Sequence, residues 1–201
     1  MTLTVNRVLL FRSVAVAVLS GFGLLASAQV EVNSTLTPDE YVNDVLLGTG
    51  VEATNVVFTG SPVQIGHITG FDPAEFPIEA GLILSTEVAN NPANVDDGCV
   101  DDFIDDNLEV SGDPDLLTIA NSVPPLIGQN FSVNSVNDVC AIEFDFVATG
   151  DTIRFNYVFG SDEYLAWINS QYNDIFGFFL SGPGINGPYA DNAINLAEVP
   201  G

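Results

Sequence analysis

Between residues 142 and 159 apolar side chains recur at every second position, and a period of two fits an extended strand with one face turned to a core. Ile142, Phe144 and Phe146 alternate with Glu143 and Asp145, and Ile153, Phe155, Tyr157 and Phe159 resume the pattern after a break. Matching the two apolar faces opposes Phe146 to Phe155 and Phe144 to Tyr157, whereas a slip of one residue sets Phe155 against Asp145. That register predicts a hairpin closed by Gly150-Asp151. It also places Arg154 diagonal to Asp145 as a cross-strand charge partner.

Upstream, short β-branched and aromatic runs separated by glycine, proline and asparagine predict strands at 56–59, 64–69 and 81–86. A further strand is expected at 175–180, where the apolar run is too continuous for one exposed face and points to burial on both. Ser181-Gly182-Pro183-Gly184 ends it. One helix is expected near the start. Thr37-Pro38-Asp39-Glu40 supplies an N-cap, a proline at the first helical position and a capping-box glutamate. Leu36 and Tyr41 are spaced for a hydrophobic staple, Tyr41, Val42, Val45 and Leu46 form the apolar stripe, and Gly48 stops it. The expected fold is mainly β: a sandwich-like domain of short strands with an N-terminal helix.

Arg7 and Arg12, an apolar run over 14–25, and the small residues of Ala26-Ser27-Ala28 have the form of a signal peptide cleaved before Gln29. Ser20, Gly21 and Gly23 interrupt the run, which is shorter than the roughly 20 apolar residues a membrane span needs. Residues 29–201 suit a single domain, with no membrane span expected in this mature part. A hydrophobic fraction of 47% argues against disorder. All 27 acidic residues lie beyond residue 28, where Arg154 is the only lysine or arginine. Such a field repels phosphates and excludes direct nucleic-acid binding, while favouring cations. The acidity also keeps an apolar exported chain soluble.

In an oxidising compartment Cys99 and Cys140 are expected to form one disulfide, the alternative being two separate buried thiols. Asp97 and Asp101 flank Cys99 and disfavour a reactive thiolate there. Seven carboxylates, Asp96, Asp97, Asp101, Asp102, Asp105, Asp106 and Glu109, make a candidate Ca²⁺ site, since that cation takes oxygen ligands. The EF-hand spacing fails, because Val110 and Leu116 stand where glycine and glutamate are needed. The competing reading is a helix with Val100, Phe103, Ile104 and Leu108 on one face and the acids solvated on the other. A second acidic set, Asp113, Asp115, Asp162, Glu163 and Asp174, either coordinates metal or fixes turns, with turns favoured. Tyr164, Trp167 and Tyr172 form a candidate ligand platform for sugars or a protein partner, against ordinary packing. His67, the sole histidine, completes neither a zinc site with two cysteines nor a catalytic triad.

Several motifs occur in one order along the chain: Leu36-Thr37-Pro38 with Tyr41-Val42; Gly112-Asp113-Pro114-Asp115-Leu116; Phe144-Asp145-Phe146-Val147; and Thr149-Gly150-Asp151-Thr152-Ile153. Tyr157-Val158-Phe159-Gly160-Ser161-Asp162-Glu163-Tyr164, then Asn173-Asp174-Ile175-Phe176-Gly177-Phe178-Phe179-Leu180-Ser181-Gly182-Pro183-Gly184, and the closing stretch 195–201 complete them. Together they resemble the choice-of-anchor L domain of bacterial secreted and surface proteins. The resemblance implies display outside the cell, in a family whose longer members carry varied C-terminal sorting segments and adhesin-like domains. It transfers no catalytic activity. The family pattern continues past Pro200-Gly201, so the chain is expected to stop inside its domain, and nothing carries over onto the acidic stretch around Cys99. The expected function is a non-catalytic structural or adhesive module at the cell surface, stabilised by calcium, with cell-surface or extracellular-matrix components as partners. Two alternatives stand beside it: a glycan-binding module using Tyr164, Trp167 and Tyr172, and a carboxylate-dependent hydrolase.

Overall fold

The structure is a computed structural model that describes residues 30–48, 50–72, 74, 76, 78–90, 108, 112–148, 150–160, 170 and 174–197. The chain enters as β1 (Glu31–Asn33) and turns into α1 (Pro38–Glu40), which runs on into a wider π-helical turn over Tyr41–Leu46. The capping box is formed as the sequence predicts: Thr37 N donates to Glu40 Oε2 at 2.7 Å, and Glu40 N donates to Thr37 Oγ1 at 3.3 Å. Leu47 N reaches back to Val42 O at 2.9 Å, so the winding ends just before Gly48. The stripe buries Tyr41 and Val42 completely, while Val45 and Leu46 are half-buried.

The predicted strands appear as β2 (Ala53–Thr59), β3 (Ile65–Thr69) and β4 (Ala80–Leu84). β3 is central in an antiparallel sheet of order β1-β3-β4, with Ile68 opposite Val32 on one side and Gly81 on the other. Gly66 sits where a Cβ would run into Val32 Cγ1 and lie 3.4 Å from Ile83, so its missing side chain lets these neighbours close over the strand. Ile65 and Ile68 join Tyr41 and Val42 in the core.

The predicted hairpin is not the one that forms. β5 (Ala141–Phe146) pairs with β2, placing Ala53 opposite Phe146 and Phe58 opposite Ile142, and residues 152–160 belong to no strand. Alternation fixes which way a strand faces, not which partner it takes. A bulge between Thr54 and Val57 holds Asn55 in the left-handed region at φ 53°, and its amide donates to Asp145 Oδ2 at 2.7 Å. Asp145 thus finds its partner in Asn55, and the expected cross-strand pairing with Arg154 has no paired strand to support it. The alternation nonetheless survives as exposure: Ile153, Phe155 and Tyr157 are half-buried, with exposed residues between them. Their rings face the other aromatic run, Phe155 lying 4.6 Å from Phe178 and Tyr157 lying 5.4 Å from Phe176.

Within 175–180 only β6 (Phe179–Leu180) is a strand, paired antiparallel with β7 (Ile194–Asn195), but every residue of 174–180 is at least partly covered, in keeping with burial on both faces. A 13-residue helix, α2 (Pro114–Leu126), was not predicted. Its opening Asp113-Pro114-Asp115 repeats the grammar of Thr37-Pro38-Asp39, but Pro124-Pro125 in the last turn disguise its length. The whole is a mainly-β domain of small antiparallel sheets with few short helices.

Candidate functional site

Segments far apart in sequence meet around the start of α2. Asp113 caps the helix, its Oδ1 accepting from Asp115 N at 2.9 Å and from Leu116 N at 2.8 Å. This satisfies two of the amides that a helix start leaves unpaired. Asp115, in the first turn, points its carboxylate at Ala190 N, 3.1 and 3.2 Å from its two oxygens. Charge-assisted hydrogen bonds and the positive end of the helix dipole both favour an anion here. One turn further on, Ile119 lies beside Gly177, where a Cβ would sit 3.2 Å from Ile119 Cδ1 and 2.6 Å from the ring of Phe179. Phe179 in turn meets Tyr189 edge-on at 4.9 Å. Asn195 accepts from Phe178 N at 2.9 Å and Ala197 N at 3.0 Å, locking β7 to the aromatic run.

A second junction forms around Gln64, a fully buried polar side chain. Its Oε1 accepts from Ser61 N at 2.7 Å, and its Nε2 donates to Asp138 O at 2.9 Å and to Thr86 O at 3.3 Å. One amide therefore ties together the turn before β3, the loop after β4 and the approach to β5. Cys140 Sγ donates to Gln64 O at 3.4 Å, and burial pushes this thiol up to about 12, which disfavours the thiolate. Sequence reasoning gave Gln64 only as the start of a strand. A capping-box pattern, Ser61-Pro62-Val63-Gln64, was the available signal; its glutamine half is formed, while Gln64 N donates to Ser61 O.

Two asparagines make the same kind of clamp. Asn43 accepts from Ala53 N at 2.8 Å and donates to Ala53 O at 3.4 Å; Asn121 accepts from Val133 N and donates to Val133 O, both at 3.0 Å. In each case a side-chain amide pairs with both polar groups of one residue, as a neighbouring strand does.

Among the predicted site residues, Asp113 and Asp115 both accept hydrogen bonds from backbone amides. Asp174 is half-buried at the start of the aromatic run. Asp162 and Glu163, the platform residues Tyr164, Trp167 and Tyr172, and all seven acids Asp96, Asp97, Asp101, Asp102, Asp105, Asp106 and Glu109 lie outside the described residues. So does Cys99; Cys140 carries a free thiol in the structure. His67 stands opposite Asn33 and Leu82 in the sheet. Among the described residues no three histidine, cysteine or carboxylate side chains gather as a metal set, and no helix is long and apolar enough to cross a membrane.

Comparison with curated proteins and with solved structures returns no match for the chain. The choice-of-anchor L domain model matches residues 29–201, taking in α1, the capped start of α2 and the aromatic run packed against it. By that match the chain belongs to the choice-of-anchor L domain family and is a surface-associated bacterial module.

Proposed function

We propose that the domain is a non-catalytic structural or adhesive module displayed outside the cell, acting through its surface rather than through a reaction centre. The observation that carries this reading is the engagement of Asp113 and Asp115: the first caps α2 through the amides of Asp115 and Leu116, and the second accepts from the distant Ala190 N. A carboxylate engaged in this way has a structural task, as helix caps and loop ties do. The partners that fit are cell-surface or extracellular-matrix components. With 27 acidic residues against so few basic ones, calcium enters this reading as the counter-ion that would relieve self-repulsion.

The test is made on the exported protein. Protease shaving of intact producing cells should release it, and immobilised cell envelopes or matrix components should retain it without turnover on panels of polysaccharides and esters. Turnover lost on a single carboxylate-to-amide change such as Asp174→Asn would overturn the reading in favour of a hydrolase. Glycan-array binding abolished by Trp167→Ala would replace it with the sugar-binding alternative. The calcium element fails if thermal melts in millimolar Ca²⁺ and in chelator coincide at fixed high ionic strength.

A further inference from the structure

Glu31, Asn33 and Thr35 alternate along the first described strand and the turn that follows, and all three are exposed, while Val32 and Ser34 turn inward. The cause is again Gly66: a Cβ there would run into Val32 Cγ1 and meet Ser34 Oγ at 3.1 Å, so these two side chains occupy the space it leaves. β1 is an edge strand of its sheet, and Asn33 is its last residue. The main chain at this point is held from behind, since Tyr41 Oη donates to Asn33 O at 3.1 Å and Asn33 pairs with His67.

The side chain of Asn33 is in a defined orientation. Thr35 N donates to Asn33 Oδ1 at 3.0 Å, and Thr35 Oγ1 donates to the same oxygen at 2.7 Å. A backbone N–H can only donate, so the atom it meets must be the carboxamide oxygen, which identifies the other terminal atom as Nδ2. Among the described residues Nδ2 makes no hydrogen bond. Asn33-Ser34-Thr35 also satisfies the N-x-Ser/Thr acceptor pattern, in an exposed segment of a chain with an export signal. The hydroxyl that the pattern requires is already docked on the carboxamide that is to be modified.

We propose that Asn33 is an N-glycosylation acceptor, taking a sugar chain from a polyprenyl-phosphate-linked oligosaccharide after export. In the transfer, Nδ2 bonds to the anomeric carbon of the donor sugar as the bond from that carbon to the phosphate oxygen breaks. The electron pair leaves with the polyprenyl phosphate, and one Nδ2 proton passes to a base of the transferase. No electrons change hands overall, and the acceptor supplies only the amide nitrogen. Glu31 lies on the same exposed side two residues earlier, where it adds a negative charge for the transferase to recognise. Asn130-Phe131-Ser132 matches the same pattern in the loop after α2, but among the described residues its serine makes no bond to its asparagine. Only the first of the two acceptors is prefolded.

The experiment uses the protein recovered from outside the cells that produce it. Beyond residue 28, Arg154 is the sole trypsin site, so a glutamyl endoprotease is used to cut at Glu40 and release the Asn33 peptide for mass measurement. An oligosaccharide mass on Asn33 is expected. It should be lost completely in Asn33→Gln and Thr35→Ala, kept in Thr35→Ser, reduced in Glu31→Gln, and unaffected by Asn130→Gln. Thermal melts of Asn33→Gln and Thr35→Ser check that exposed changes leave the fold intact. An unmodified Asn33 peptide, or a sugar mass that survives Asn33→Gln and therefore sits on Ser34 or Thr35, overturns the proposal.

Discussion

β3 and the stretch 152–160 are both expected from sequence to be strands and end in different states. β3, with no strict alternation, is flanked by β1 and β4 and buries Ile65 and Ile68, whereas residues 152–160 alternate cleanly yet join no sheet and leave Val158 and Phe159 exposed. The difference lies in what surrounds each strand. β3 has Gly66, which lets its neighbours close in, and Gln64, which fixes the loops at its end. The later stretch has aromatic faces and meets rings instead of a ladder: Phe159 lies 6.1 Å from Phe176, which also takes Tyr157. Alternation chooses a face, but a sheet also needs a backbone that can be approached.

The widest separation should appear in hydrogen exchange, where amides of β3 are expected to exchange at least about 100-fold more slowly than those of 153–159. Equal rates would erase the contrast. Gln64→Ala should destabilise the protein by about 2 kcal/mol in chemical denaturation, because it removes the buried amide that bonds Ser61 N, Asp138 O and Thr86 O. A loss below about 1 kcal/mol would show that water replaces the amide.

Asp113→Ala should cost about 1 kcal/mol through the lost helix cap, with Asp113→Asn recovering most of it. In the aromatic layer, Phe176→Leu keeps much of the apolar area and should lose only about 0.5–1 kcal/mol, the ring-specific part of two contacts. A larger loss would make that layer as tightly packed as β3. The smallest effect belongs to Glu40, whose carboxyl is held below the usual glutamate range by the backbone amide of Thr37 and then by its hydroxyl. A lowered folded value means the stabilisation is complete above the ordinary glutamate pKa and disappears as pH falls through the lowered one. The stability difference from Glu40→Gln should accordingly be present at pH 7 and vanish in acid.

The first helix was legible because every cue is local: Thr37, Pro38 and Glu40 fix its start without help from distant residues. Strands β2, β3 and β4 were legible from composition, and the family from the order of its motifs. The partner of β5 was not, since β2 lies some ninety positions away and the signal for it, Asn55 reaching Asp145, is a single hydrogen bond. α2 was hidden by prolines that tolerate a helix end better than its middle. The roles of Asp113 and Asp115 were half legible: glycine and proline beside them favoured turns over metal, but nothing in sequence could pair Asp115 with Ala190.

The asparagine clamps give the protein a chemical age. Asn43 and Asn121 each need one donor and one acceptor, and slow hydrolysis to aspartate replaces the donor nitrogen with a charged oxygen. At Val133 two acceptors would then face each other across the former 3.0 Å contact, and the loop after α2 would be released. A protein displayed at the cell surface accumulates such damage for as long as it remains in place, so these two amides are points at which the fold loosens with age.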